Sequence, residues 1–176
     1  LTDAPIWTSN MINEVNIANN WNPKASSGRE FGGFNYTTED CILRWLHRGD
    51  TIYDVEIPED AEVVKIEGAT TIYRTNKIIV KNPRKVTDEM AYEFYKKAQI
   101  NDMAYPKTLC AVTLMGYEQT ANTILKDKVN TGNVNIYLDE WHDFFTNGGD
   151  GKRNSTAPLI IDIHSKLLEI KNNKFK

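Results

Sequence analysis

The sequence predicts a small α+β fold, with an antiparallel sheet in the first half packed by helices mainly from the second half. Three observations predict it. Period-two alternation of apolar and polar residues is concentrated between residues 51 and 81. Helical spacing takes over from residue 88 onward. Strands clustered ahead of helices mark α+β rather than alternating α/β. At 176 residues, with 40% hydrophobic and 10% aromatic content, the chain suits one domain with its own core. Residues 1–176 therefore read as a single domain. Residues 1–36 form an irregular N-terminal segment, 37–83 a helix plus strands, and 84–176 a helical part.

The N-terminal segment is rich in Asn, Gly and Ser, with a short helix expected around 8–19. A helix follows at about 38–48, capped by Thr37 or Thr38, with Cys41, Ile42, Trp45 and Leu46 as its apolar stripe and Gly49 ending it. In 51–57, Tyr53, Val55 and Ile57 alternate with Asp54 and Glu56, a half-buried strand. Pro58-Glu59-Asp60 makes a turn, and strands are expected at 62–67, 70–75 and 77–81. Asn82-Pro83 should stop the run. Thr87 caps a helix at 88–98, with Met90, Ala91, Phe94, Tyr95 and Ala98 inward and Val86 stapling onto Ala91. Pro106 opens the next helix, at 106–115. Further helices are expected at 117–129, 134–145 and 157–171, and a flexible loop at 146–156.

Charge excludes some functions. Twenty-one basic against 24 acidic residues leave a formal net charge of −3, which disfavours coating bare nucleic acid with the whole surface. The sign alternates in blocks: acidic over residues 1–73, basic over 74–107, acidic over 108–150, basic beyond. The sequence holds no ~18-residue apolar run, so no membrane span is expected. The first ten residues lack a signal-peptide layout, and the chain begins with Leu1 rather than Met, so a start upstream is expected. Cys41 and Cys110 each sit in an apolar stretch and read as two buried thiols, with a disulfide as the alternative. A cytoplasmic protein follows.

The sequence contains no phosphate-cradling glycine loop, Cys-x-x-Cys pair, His-Glu-x-x-His motif or Gly-x-Ser-x-Gly elbow. Asp139, Glu140, His142 and Asp143 have metal-ligand types but read as a solvated helix face, so no metal is expected. His47-Arg48 reads as a favourable helix C-terminus, with acid–base chemistry as the alternative. The basic run carries more. Arg74, Lys77, Lys81, Arg84 and Lys85 are five cations on two strands and the loop beyond Pro83. Alternation puts Lys77, Ile79 and Lys81 on one face and Ile78 and Val80 on the other. Such a group suits phosphates or an acidic protein surface, with Tyr73 as a stacking surface; the alternative is an edge strand guarded by lysines. The acidic run Asp54, Glu56, Glu59, Asp60 and Glu62 either mimics phosphates, pairs with the basic run, or is simply solvated.

The block Asn76-Lys77-Ile78-Ile79-Val80-Lys81-Asn82-Pro83-Arg84-Lys85-Val86-Thr87-Asp88-Glu89-Met90-Ala91 resembles a signature of small accessory proteins of phages and conjugative elements of Gram-positive bacteria. Gly116-Tyr117 to Thr120-Ala121 and Asp127-Lys128-Val129-Asn130 fit the same resemblance, which spans residues 50–145. Within that group the sequence is similar to type II-A anti-CRISPR proteins, inhibitors of Cas9. The resemblance implies a partner in Cas9, its guide RNA or both, in the cytoplasm of a bacterial host, with no cofactor. One route it implies is shortening of the guide RNA. Cleavage would need a general base and a cation, for which His47, Tyr73, Arg74 and Lys77 are the available types. A second stretch, Gly33-Phe34-Asn35-Tyr36-Thr37-Thr38, a helix, Thr51 to Ile57, then Pro58 to Val63, looks like the middle of an ADP-ribosyltransferase core. The glutamate that family carries on a later strand is missing, since Thr71 to Lys77 offers Arg and Lys instead.

Overall fold

The computed structural model describes residues 7–26, 30–147 and 157–173. It is α+β. Six strands, β1 (Val15–Ile17), β2 (Phe34–Tyr36), β3 (Thr51–Glu56), β4 (Val63–Ile66), β5 (Ile72–Thr75) and β6 (Lys77–Lys85), precede five helices. These are α1 (Asp88–Lys97), α2 (Tyr105–Leu114), α3 (Glu118–Lys128), α4 (Val134–Phe145) and α5 (Pro158–Asn172).

The strands form two antiparallel three-stranded sheets, β1-β6-β3 and β2-β5-β4, rather than the one sheet expected. The two share a spine. β5 and β6 run into each other through Asn76, and β3 and β4 run back alongside them from Thr51↔Lys85 to Ile66↔Ile72. The result is one long bent hairpin. Asn76 holds the bend: its side chain accepts from Glu62 N at 2.8 Å, and its carbonyl accepts from Ala18 N at 2.8 Å.

The N-terminal segment is more ordered than its composition suggests. The helix expected at 8–19 is a three-residue 3-10 turn, Ser9–Met11, followed by β1. β1 pairs with β6 and β2 with β5, on the free side of the spine. Asn13, at φ 64°, turns the chain between the 3-10 turn and β1, a conformation that Asn tolerates better than most residues. The Asn16 amide donates to Met11 O at 2.9 Å and Glu14 O at 3.0 Å, satisfying backbone that a helix would have satisfied itself.

The segment expected as a helix at 38–48 is a 3-10 helix over Ile42–Arg48. Neither threonine caps it. Thr37 Oγ1 donates to Thr71 O at 2.6 Å, and Thr38 bonds the Asp40 side chain. The changed winding moves Leu43, outside the expected stripe, to full burial and leaves Ile42 and Trp45 partly covered.

Asn82-Pro83 does not stop the run. β6 continues through it to Lys85, because the pair forms a bulge opposite Tyr53: the register steps from Ile52↔Arg84 to Asp54↔Lys81. Asn82 takes φ 50°, and the extra residue lets a proline sit within a strand. Arg84 and Lys85 therefore belong to the sheet, not to a loop. Val55 faces the same side as buried Val80 yet stays 39% exposed, since β3 is an edge strand.

The helical half follows its sequence signals closely. Thr87 Oγ1 accepts from Met90 N at 3.3 Å as the N-cap of α1, and Val86 and Ala91 lie in one core cluster. α2 is the hub: Leu109, Cys110, Ala111 and Val112 are fully buried. α3 contributes Ala121 and Ile124, α4 Trp141, Phe144 and Phe145, and α5 Ile160, Ile163 and Leu167. Of the loop expected at 146–156, residues 148–156 lie outside the described residues.

Both cysteines are free and buried, and burial pushes the Cys110 thiol well above its ordinary range. A thiol reagent at neutral pH is expected to label neither quickly in the folded protein and both once the chain is denatured. Fast stoichiometric labelling of native protein would contradict this core.

Candidate nucleic-acid and protein interface

The bent hairpin sets the acidic run directly across from the basic run. Arg84 makes a two-pronged contact to Asp54, Nη2 to Oδ1 at 2.7 Å and Nη1 to Oδ2 at 3.1 Å. Lys81 pairs with Glu56, and Lys77 with Asp60. Of the alternatives open in the sequence, internal pairing describes Asp54, Glu56 and Asp60. All three carboxylates remain at least half exposed, as does much of Arg84 and Lys81. Such solvent-exposed pairs add little net stability and exchange partners at little cost.

These charges share a face of β1-β6-β3 with Ile79, Val15 and Ile17, by direct pairing Val15↔Ile79 and Ile17↔Lys77. Val15 is 51% and Ile17 66% exposed. The opposite face carries Ile78 and Val80, at 1% and 2%, as the alternation predicts. The outer face is therefore an apolar stripe bordered by three salt bridges of mixed sign. Lys85 has no ionic partner among the described residues.

The hydrogen bonds from Arg84 and Asn82 hold the Asp54 carboxyl down at about 2. Its unfolded value is near ~3.9. A depressed carboxylate stabilises the fold fully above the unfolded value, and that contribution disappears as pH falls through about 2. Wild-type protein is thus expected to lose more melting temperature between pH 5 and 2 than Asp54→Asn does. Parallel curves for the two would remove the Asp54–Arg84 linkage.

Arg74 and Tyr73 belong to the other sheet. Arg74 Nη1 donates to Gly32 O at 2.9 Å, and partial burial lowers its guanidinium below the ordinary value. Arg74 anchors the backbone at Gly32 as well as presenting charge. Tyr73 faces the opposite side and stacks on Tyr36, its cross-strand partner, with ring centroids 5.1 Å apart and planes at 18°. Lys65 pairs with Tyr73 on its other flank. Burial, then the Tyr73 charge, raises the Tyr36 phenol. Neighbouring Phe34 packs on Trp7 at 5.6 Å, and Trp7 on Tyr53 at 6.2 Å.

Of the four residues suited to cleavage, Tyr73, Arg74 and Lys77 lie along the spine. His47 packs its ring against Phe144 of α4, 5.8 Å away, on the helical side. Asp139, Glu140, His142 and Asp143 lie on α4, where His142 Nδ1 approaches the Thr146 hydroxyl at 3.2 Å. No group of three or more His, Cys, Asp or Glu converges among the described residues. No helix among them is long and apolar enough to cross a membrane. An open depression of about 390 Å³ between α3 and α5, lined by Leu125, Lys126, Lys166 and Ile170, contains none of the expected site residues. Lys77, Lys81 and Arg84 are brought together on β1-β6-β3, whereas Tyr73 and Arg74 lie in the other sheet and His47 on the helical side.

Sequence reasoning missed Tyr36 and Lys65. Both sit in short strands whose neighbours depend on register, and the signal available was only Tyr36 in Phe34-Asn35-Tyr36 alternation. Comparisons with protein-family models, curated proteins and solved structures found no match.

Proposed function

We propose that this protein is an inhibitor that docks on a complex of Cas9 with its guide RNA. The observation that supports it best is the outer face of the bent hairpin. There Lys77, Lys81 and Arg84 are held in exposed, exchangeable pairs beside an apolar stripe. Such a face suits a surface offering both protein and phosphate, because each pair can release its cation to a phosphate and its carboxylate to a basic side chain. The resemblance of residues 76–91 to accessory proteins of phages and conjugative elements, and within that group the similarity of the sequence to type II-A anti-CRISPR proteins, points the same way. Shortening of the guide RNA is the inhibitory route in this reading.

The test is a pull-down of Cas9 with and without guide RNA, followed by a guide-length gel. Capture is expected to need guide RNA and to weaken steeply with salt, since log K falls by roughly 0.7–0.9 per phosphate contact for each tenfold rise in salt. Lys77→Glu, Lys81→Glu, Arg84→Glu and Lys85→Glu together are expected to abolish capture. Undiminished capture by that variant sinks the proposed face. A guide of unchanged length sinks the shortening step while leaving docking intact.

A second reading has its own observation. β2, Thr37-Thr38, the 3-10 helix, β3 and the Pro58 turn follow in the order that the ADP-ribosyltransferase resemblance implies. This scaffold would have lost its transfer chemistry, since Arg74 and Lys77 stand near where the glutamate is wanted. Binding of NAD without transfer of label to any acceptor would favour this reading over docking, and no NAD binding at millimolar concentration would end it.

A further inference from the structure

Among the half-exposed groups outside the salt-bridged face, one row has the chemistry of a ligand site. Tyr36, Tyr73 and Lys65 lie side by side across β2, β5 and β4 by direct register, so all three project from one face. The two rings stack nearly parallel at 5.1 Å. Both are only partly covered, and neither hydroxyl has a hydrogen-bond partner among the described residues. A tyrosine pair serving as core would be closed over or would satisfy its hydroxyls. Lys65 ends the row about one strand spacing, ~5 Å, from Tyr73. Its ammonium pairs only with Glu67, two residues on, at 2.6 Å, and both side chains are more than half exposed.

We infer that the Tyr36–Tyr73–Lys65 row is a stacking platform for an unpaired base of single-stranded RNA. The base extends the tyrosine stack, and Lys65 exchanges Glu67 for a phosphate of the same strand. Stacking on two phenol rings accepts any base, because every base offers a π-face. One cation beside an acidic residue makes the contact weak, so the platform holds an RNA segment presented by a larger complex rather than gripping free RNA tightly. This deepens the docking reading and rests on it for the identity of that larger complex. A cationic protein segment over the same rings is the competing occupant.

The experiment titrates a short unstructured oligouridine RNA into the intact protein and follows fluorescence anisotropy. Tyr36→Ala with Tyr73→Ala is expected to weaken binding at least about tenfold, as loss of base–aromatic stacking does. Tyr36→Phe with Tyr73→Phe should bind like wild type, because the rings and not the hydroxyls carry the contact. Lys65→Gln should weaken binding and flatten its salt dependence; its exposed side chain makes this a variant that keeps the fold. Wild-type protein that ignores the RNA while binding an arginine-rich peptide through the same tyrosines overturns the inference in favour of a protein occupant. Equal RNA binding by the Phe and Ala pairs overturns it as well. Capture of the Cas9 complex, measured in parallel, separates the two readings. Capture that survives the alanine pair alongside lost oligouridine binding shows that the platform is not used in docking. Tyrosine-dependent oligouridine binding without any capture keeps the platform and removes Cas9 as its source of RNA.

Discussion

Gly33→Ala is expected to destabilise the protein by about 2–5 kcal/mol, through two additive causes. Gly33 has φ +71°, where a Cβ is strained whatever the space around it. That Cβ would also lie 2.5 Å from the Thr75 carbonyl oxygen and 2.7 Å from the Trp21 ring. Thr75 is fully buried at the end of β5, so its backbone cannot retreat cheaply. Trp21 is tied to Glu62 through its indole N–H. Gly116→Ala separates the two causes. Gly116 has φ +77° but nothing within 4 Å of the added carbon, so it should show only the conformational cost of about 1–2 kcal/mol. Urea unfolding of the two variants checks this, with the slope unchanged and the midpoint lower. Equal midpoints would mean that Gly33 is not packed against Thr75 and Trp21 as described.

Asp88→Ala is expected to cost about 2–3 kcal/mol, well beyond an ordinary surface change. Asp88 opens α1, but its carboxylate serves α3. It accepts from Gln119 N at 2.7 Å, Thr120 N at 3.0 Å and Thr120 Oγ1 at 2.7 Å. Those amides belong to the first turn of α3, whose N-cap residue Tyr117 supplies no side-chain bond of its own. Thr120 is fully buried, so its hydroxyl has no water to turn to. Asp88→Asn keeps an acceptor oxygen and should lose roughly half as much, since bonds to a charged partner are about twice as strong. Thermal melts of both variants decide it. Identical losses would deny that charge matters at this cap.

The helical half was legible because its signals are local. Thr87, Pro106 and the three- and four-residue spacing of Val134, Leu138, Trp141 and Phe145 act within one or two turns, and the helices fall within a residue or two of expectation. The sheet half was legible only in part. Alternation found β3 to β6, yet the end of β6 depends on a bulge that exists only opposite Tyr53. β1 and β2 are three residues each and take their conformation from distant partners. The candidate surface divides the same way. The five cations could be read directly, whereas the pairing of Arg84, Lys81 and Lys77 with Asp54, Glu56 and Asp60, and the neighbours Tyr36 and Lys65, follow from register. Asp88 suits the first turn of α1 by its charge, which is local, whereas its reach into α3 is purely tertiary.

The spine through Asn76 also fixes an order of events during synthesis. β1 and β2 are made first, but each pairs with a segment of β5–β6 that emerges much later. Until that segment leaves the ribosome, Trp7, Trp21, Val15 and Ile17 have no sheet to join. The hairpin can close from its tip, Ile66 beside Ile72, as soon as both arms are out. The N-terminal strands can therefore join the sheet only after the middle of the chain has emerged to pair with them.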